Sequence, residues 1–206
     1  EWVIIDDSDT KESIEKLLPP NEYRISKYNI NYIKLNEKHT IGEKRNMGVR
    51  ASKNDIIVCM DDDDYYHPKS ILNRINILLS NKNKKCIACT TIATFEINKI
   101  ISMINVPSIS DTFETRVSPA TLIFYKEFFD EDHSFIFDDA NINECKKLIS
   151  GRIGDVIETN WKDNIVSLLH KNNASKRTSP QDQESNGCHF NFNEKLFKFI
   201  ISLDKT

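Results

Sequence analysis

The stretch DIIVCMDDDDYYHP, residues 55–68, places four carboxylates directly after a short apolar run. Its aspartates are consecutive, from residue 61 to residue 64. Neighbouring unit charges repel by about 1 kcal/mol in water and by several times that amount in a partly closed site. A divalent cation turns this repulsion into binding, because hard cations prefer carboxylate oxygens. The pattern therefore indicates a metal site, with a solvated acidic turn ahead of a helix as the alternative.

The geometry of an extended chain predicts how these four side chains divide. Because side chains alternate along such a chain, we expect Asp61 and Asp63 to point to one side and Asp62 and Asp64 to the other. A cation held by only one or two carboxylates keeps positions open for substrate phosphates. The run lacks the mid-loop glycine of an EF-hand, which argues against a calcium loop of that type.

The segment IIDDSDT, residues 4–10, is a second acidic strand end. A carboxylate there, Asp6 or Asp7, could accept hydrogen bonds from a nucleobase or a ribose. The alternative is a cluster that caps the following helix, which suits Asp9 better than Asp7.

Positive charge comes from IGEKRNMGVRAS, residues 41–52. Lys44 and Arg45 fall in the first turn of a predicted helix, whose N-terminus also offers free N–H groups and a positive dipole end. Read alone, the segment could equally be a solvated basic helix face.

Alternating strands and helices position these groups. Strands are predicted at 1–5, 30–35, 55–60, 86–95 and 97–104, and helices at 11–18, at about 42–52, and from Pro68, with Ile71, Leu72, Ile75, Leu78 and Leu79 on one face. This alternation predicts an α/β fold with a mostly parallel central sheet and helices on both faces. Ligands bind beyond the carboxyl ends of the strands in such sheets, so both acidic segments should share one crevice.

The second half is less regular and is assigned to the same single domain, residues 1–206. A strand leading into a helix is predicted at 118–129, a short helix at 142–151, an apolar strand at 164–170, a loop at 171–191 and an amphipathic helix at 193–203.

Composition narrows the class of protein. A net charge of −3 gives no overall basic footprint for nucleic acid. No stretch approaches the roughly 20 apolar residues of a membrane span, and no signal segment is recognisable. Five scattered cysteines, an odd number, argue against a secreted disulfide framework. We therefore expect a soluble, cytoplasmic protein.

Taken together, EWVIIDDSDT, IGEKRNMGVRAS and DIIVCMDDDDYYHP resemble the nucleotide-diphosphosugar glycosyltransferases of family 2, which have a GT-A, Rossmann-like fold. The family's segment with glycine, arginine and asparagine is here Gly-x-x-Arg-Asn-x-Gly, from Gly42 to Gly48. The resemblance implies nucleotide contacts by Asp6, Asp7 (the base reader), Lys44, Arg45, Asp61 and Asp62, and metal ligation by Asp63 and Asp61. It also implies a further strand with a Tyr-Asn-Arg-like segment before EWVII, so we expect either a truncated chain or a sheet completed in another way.

The resemblance extends loosely into the second half. It implies a nucleotide-sugar and metal half at 1–104 and an acceptor half at 105–206. ANINECKKLISGR nominates Glu144 as general base, with Asp138 or Asp139 as rivals, and IVSLLHKNN offers His170 as a third metal ligand.

The implied activity is sugar transfer with inversion from a nucleotide-sugar donor, a UDP-sugar by preference, to a hydroxyl of a carbohydrate or protein acceptor. The implied cofactor is Mn²⁺ or Mg²⁺. Two other classes stay open: a catalytically silent nucleotide-sugar or carbohydrate-binding module, and a metal-dependent phosphohydrolase.

Overall fold

The computed structural model describes residues 1–9, 13–21, 27–170, 173, 184–186, 188, 190 and 192–203. Within these residues the strands are β1 (Trp2–Asp6), β2 (Ile30–Lys34), β3 (Ile56–Val58), β4 (Asp64–Tyr66), β5 (Cys86–Ala88), β6 (Ile92–Glu96), β7 (Ile101–Asn105), β8 (Ile123–Tyr125), β9 (Val156–Glu158) and β10 (Ile165–Leu169). The α-helices are α1 (Ile41–Ala51), α2 (Ser70–Ser80), α3 (Phe113–Arg116), α4 (Lys146–Ile149) and α5 (Glu194–Ser202). None of the described helices is long and apolar enough to cross a membrane.

The strands form three sheets with the orders β1-β2, β3-β8-β5-β9 and β4-β10-β6-β7. The pairs β1/β2, β5/β9 and β6/β10 are parallel. The pairs β3/β8, β5/β8, β4/β10 and β6/β7 are antiparallel. The α/β class is confirmed, but strand pairing is mixed rather than mostly parallel. The reason is topological: β8 enters between β3 and β5 in the opposite direction, and β6 and β7 form a hairpin.

This arrangement still brings several strand ends to one edge. Because β8 runs antiparallel to β3 and to β5, and β9 runs parallel to β5, the carboxyl ends of β3, β5 and β9 share that edge. The acidic run follows β3 there. The segment that leads into β8 reaches the same edge, where Cys59 N donates to Leu122 O at 3.0 Å.

Helices cover both faces of the sheet that contains β8. Ile123 packs with Leu78 of α2 on one face. Its neighbour Phe124 belongs to the cluster with Val49 of α1 and Leu148 of α4 on the other. Adjacent strand residues point to opposite faces, so the apolar helices are held on both sides, as predicted.

Helix α1 begins with the capping box that its sequence predicts. Thr40 Oγ1 accepts from Glu43 N at 3.2 Å, and the Glu43 carboxylate accepts from Thr40 N at 3.0 Å. By contrast, α2 begins at Ser70, so Pro68 precedes the helix instead of occupying its first turn.

The predicted apolar face of α2 is wrong in part. Leu72 and Leu79 are 59% and 50% exposed, whereas Arg74 is 2% exposed. Arg74 Nη1 donates to Thr121 O at 2.7 Å, and its Nε donates to Ser70 O at 3.3 Å. Desolvation lowers the pKa of this arginine. Carbonyl acceptors therefore let a guanidinium take a core position, while two leucines of the predicted face stay exposed.

Other predicted elements differ in length or type. The helix expected at 11–18 is a single 3₁₀ turn, Ile14–Leu17, with residues 11 and 12 outside the described set. The strand expected at 86–95 divides into β5 and β6, because the chain leaves one sheet and enters another. The helix expected after β8 is a 3₁₀ turn, Lys126–Phe128.

The elements after residue 142 agree with the sequence predictions only in part. The helix expected at 142–151 is reduced to α4, and Gly151 follows with a φ of 76°. Strand β9 was not predicted. Helix α5 is confirmed as amphipathic, since Ile200 is 2% exposed and Phe199 is 59% exposed. Most of the predicted loop at 171–191 lies outside the described residues.

Gly42 lies where α1 packs closely against the second half of the chain. A Cβ there would lie 1.7 Å from Asp138 O, so Gly42→Ala forces the two segments apart. We expect a loss of about 2 kcal/mol or more in unfolding free energy, the usual scale of overpacking. Urea unfolding measures it.

Gly48→Ala is the matched control, because its nearest neighbour is Ile5 Cγ1 at an ordinary 3.8 Å. Alanine is favoured over glycine within a helix by about 1 kcal/mol, so this variant should be as stable as the parent or more so. Equal stabilities for the Gly42→Ala variant and the parent would contradict the close contact.

Candidate functional site

The acidic run folds as a turn that leads into β4. Asp61, Asp63 and Asp64 each offer a carboxylate oxygen, and these three oxygens lie within 4.8 Å of one another. The predicted alternation is therefore wrong in part: Asp61 and Asp63 lie together without Asp62, as predicted, but Asp64 joins them. The physical reason is that a turn, unlike an extended chain, does not send successive side chains to opposite sides.

His170 follows β10 and lies beside this three-carboxylate group. Strand β10 pairs with β4, with Ser167 opposite Asp64. His170 Nε2 is 3.5 Å from Asp63 Oδ2. The structure thus brings together Asp61, Asp63 and His170, which were predicted from separate parts of the sequence.

Arg45 joins the acidic run to the second half of the chain. Its Nη2 donates to Asp61 Oδ1 at 2.6 Å, and its Nε donates to Glu144 Oε1 at 3.4 Å. The Arg45 side chain is only 10% exposed. Burial opposes its charge, but the negative charges around it, chiefly Asp61, raise its pKa, so the guanidinium stays protonated. It offsets part of the repulsion within the run.

Asp7 lies at the carboxyl end of β1, at the N-terminus of α1. Lys44 Nζ donates to its Oδ1 at 3.0 Å, and His39 N donates to its Oδ2 at 3.0 Å. Burial raises the pKa of Asp7, but these two donors outweigh it, and the pKa is lowered. A polar cavity of about 270 Å³ adjoins Asp7 and includes Lys34 and Lys38 in its wall.

Asp6 has a different environment from its neighbour. It accepts hydrogen bonds from Ser8 N at 2.8 Å, Tyr32 OH at 2.7 Å and Lys34 Nζ at 3.3 Å. Burial opposes its charge, but the hydrogen bonds from Ser8, Tyr32 and Ser13 outweigh burial and lower the pKa of Asp6 below its ordinary value. Asp6 is 8% exposed and fixes the strand ends, whereas Asp7 lines the cavity.

The two predicted general bases both lie against α1, in different surroundings. Glu144 is 5% exposed and holds Arg45. Asp139 is exposed and accepts from Thr40 Oγ1, the N-cap of α1, at 2.7 Å. The rival Asp138 accepts from Lys147 N at 2.7 Å. Only Glu144 is connected to the acidic run through described contacts.

The donor set fits a hard divalent cation. Three carboxylates whose oxygens lie within 4.8 Å of one another can share one ion, and Mg²⁺ and Mn²⁺ prefer such oxygens. The imidazole next to Asp63 adds a nitrogen ligand that Mn²⁺ also accepts. The residues present therefore suit the cofactor implied by the sequence.

Comparisons with known proteins place the chain in a family. Residues 1–138 match the family described as Glycosyl transferase family 2, and the chain belongs to it. No curated protein sequence matches the chain.

Solved structures support the same fold. S. aureus TarS 1–349 in complex with UDP-GlcNAc is similar with a TM-score of 0.60 and 14% identity, over 87% of this chain and 53% of that one. A second structure of S. aureus TarS 1–349 is similar with a TM-score of 0.58 and 14% identity, over 81% of this chain and 50% of that one. The chain thus spans about half the length of these two structures. The likeness confirms the predicted GT-A fold.

Asp62 gives a test of the repulsion within the run. Desolvation and the negative charges of Asp63 and Asp61 raise its pKa, so the folded state disfavours the charged form. Asp62→Asn should therefore unfold at a higher urea concentration than the parent at pH 7. The gain should shrink as the pH falls through the raised pKa and vanish below the ordinary value, where Asp62 is protonated in both states.

The matched control is Asp111→Asn, an exposed aspartate ahead of α3. It should change the stability of the fold little, both at pH 7 and at the lower pH values. A lower stability of the Asp62→Asn variant at pH 7, or a gain that grows as the pH falls, would contradict the repulsion.

Proposed function

We propose that this chain is the nucleotide-sugar-binding catalytic domain of a metal-dependent glycosyltransferase that uses a UDP-sugar and inverts the anomeric centre. The observation that carries the proposal is the meeting of α1 with the acidic run. Arg45 binds Asp61 at 2.6 Å, and Asp61 shares a cluster with Asp63 and Asp64. Carboxylates that can share one divalent cation suit a ligand that carries a diphosphate, because such a cation binds carboxylate and phosphate oxygens together.

The parts of a UDP-sugar have counterparts along this edge. Asp7, held ionised beside the cavity, can accept the imide N–H of uracil. Asp61, Asp63, Asp64 and His170 would hold the cation, which supplies Lewis-acid stabilisation of the leaving diphosphate. The S. aureus TarS structure with UDP-GlcNAc supports the choice of uridine.

The acceptor hydroxyl must lose a proton as its oxygen bonds to the anomeric carbon and the bond from that carbon to the diphosphate oxygen breaks. A carboxylate is the group for that proton. We propose that Glu144 is this base, because Arg45 contacts both Glu144 and Asp61 of the acidic run. Asp139 is the alternative. A single displacement of this kind inverts the anomeric centre.

One observation favours a catalytically silent nucleotide-sugar-binding module as the second candidate. The Glu144 carboxylate is 5% exposed and already paired with Arg45. A base so enclosed must be uncovered before an acceptor can reach it. A silent module would bind a UDP-sugar without releasing UDP.

Binding and turnover measured together test the proposal. With Mn²⁺ present, the protein should bind at least one UDP-sugar by calorimetry and release UDP, to an acceptor or slowly to water. Asp63→Ala should lose both, because the cation loses a ligand that also faces His170, while Asp111→Ala should keep both. Binding without UDP release supports the silent module, and failure to bind any UDP-sugar contradicts both candidates.

A second pair of variants separates the possible bases. Glu144→Gln should lower turnover by about 100- to 10,000-fold, the scale of general-base catalysis, with UDP-sugar affinity close to that of the parent. Asp139→Asn is the matched variant and should keep most of the turnover. A larger loss of turnover in Asp139→Asn than in Glu144→Gln would make Asp139 the general base. A loss of UDP-sugar affinity in Glu144→Gln would show that Glu144 acts by holding Arg45.

A further inference from the structure

A single amide bridges the two groups that close the candidate cation site. Asn173 Nδ2 lies 3.0 Å from Asp63 Oδ2 and 3.1 Å from His170 Nε2. Its Oδ1 accepts from His170 N at 2.6 Å. The backbone adds a further link, because Asn173 N donates to His170 O at 3.2 Å. One side chain therefore contacts both candidate ligands.

We propose that Asn173 is a positioning residue that holds Asp63 and His170 at the separation needed to ligate one ion. This inference rests on the proposed function. Two ligand atoms at right angles around a small divalent ion lie about 3 Å apart, given bonds of about 2.1 Å. Asp63 Oδ2 and His170 Nε2 are 3.5 Å apart, which is close to that separation.

Repulsion explains why Asp63 needs such a partner. Its side chain is 40% exposed, and it shares the cluster with Asp61 and Asp64, whose charges push it outward toward water. An amide N–H holds the Asp63 oxygen in place. Because the amide is neutral, it holds Asp63 without repelling the cation, as a lysine ammonium in its place would.

The hydrogen-bonding capacity of the amide also fits an exchange of partners. Nδ2 carries two hydrogens but has three acceptors within reach: Asp63 Oδ2, His170 Nε2, and Leu168 O at 3.2 Å. An imidazole nitrogen has one lone pair, so His170 Nε2 must leave Asn173 Nδ2 to ligate an ion, while Asn173 Oδ1 still holds His170 through its backbone N–H. The two hydrogens then remain with Asp63, which can ligate and accept at once, and with Leu168.

The test compares Mn²⁺ affinity at saturating UDP, with free Mn²⁺ measured by electron paramagnetic resonance. Asn173→Ala should weaken Mn²⁺ binding by about 10- to 100-fold, as loss of groups that orient metal ligands does. Asn173→Ser, which keeps one short donor, should weaken it less. Asn83→Ala, at an exposed turn between α2 and β5, is the control and should match the parent.

The affinity for UDP without metal is the control measurement. If Asn173 only supported the fold, its substitution would also change this affinity. It should be the same in the parent, in Asn173→Ala and in Asn173→Ser. If the parent fails to bind Mn²⁺ with UDP, the proposed function fails. If the parent binds and both Asn173 variants bind equally well, the inference about Asn173 alone is overturned. Should the alanine variant not fold, the serine variant decides.

Discussion

Mutual repulsion among carboxylates is the constraint around which the site is built. Three aspartate oxygens lie within 4.8 Å of one another, an arrangement that is unfavourable unless positive charge or donors oppose it. Arg45 opposes it from α1, and Asn173, which follows β10, opposes it by donating to Asp63 Oδ2. These neighbours offset only part of the repulsion. Retaining a costly cluster of this kind is typical of functional sites, where local stability is given up for binding.

The rest of the fold holds the opposing charges in place. Asn46 of α1 donates to Phe137 O and accepts from Phe137 N, both at 2.9 Å, so α1 is tied to the segment that carries Glu144. The absence of a side chain at Gly42 permits the same close approach. On the other side, the antiparallel pairing of β4 with β10 brings His170 to Asp63. Each contact joins residues far apart in the sequence.

Local signals explain what the sequence could predict. The apolar runs of β1 and β3, the capping box of α1 and the acidic run are each legible within about ten residues, and the resemblance joined Asp63 to His170. The position of Asp64, the burial of Arg74 and the bridge made by Asn173 depend on distant partners: Leu168 N for Asp64, and Thr121 O for Arg74. Strand β9 has only three residues, too few for a periodic pattern. Composition and spacing carry no record of such partners.

The most direct test is thermal unfolding with UDP, with Mn²⁺, and with both, beside the other nucleoside diphosphates. A ligand at about 100 times its dissociation constant stabilises the fold by about 2.7 kcal/mol, which is a readily measured rise in the midpoint. A cation site whose repulsion is only partly offset, and which binds the diphosphate through the cation, predicts the largest rise when UDP and Mn²⁺ are present together. An unchanged midpoint with every nucleotide in the presence of Mn²⁺ would contradict the account and leave the acidic run as a solvated turn.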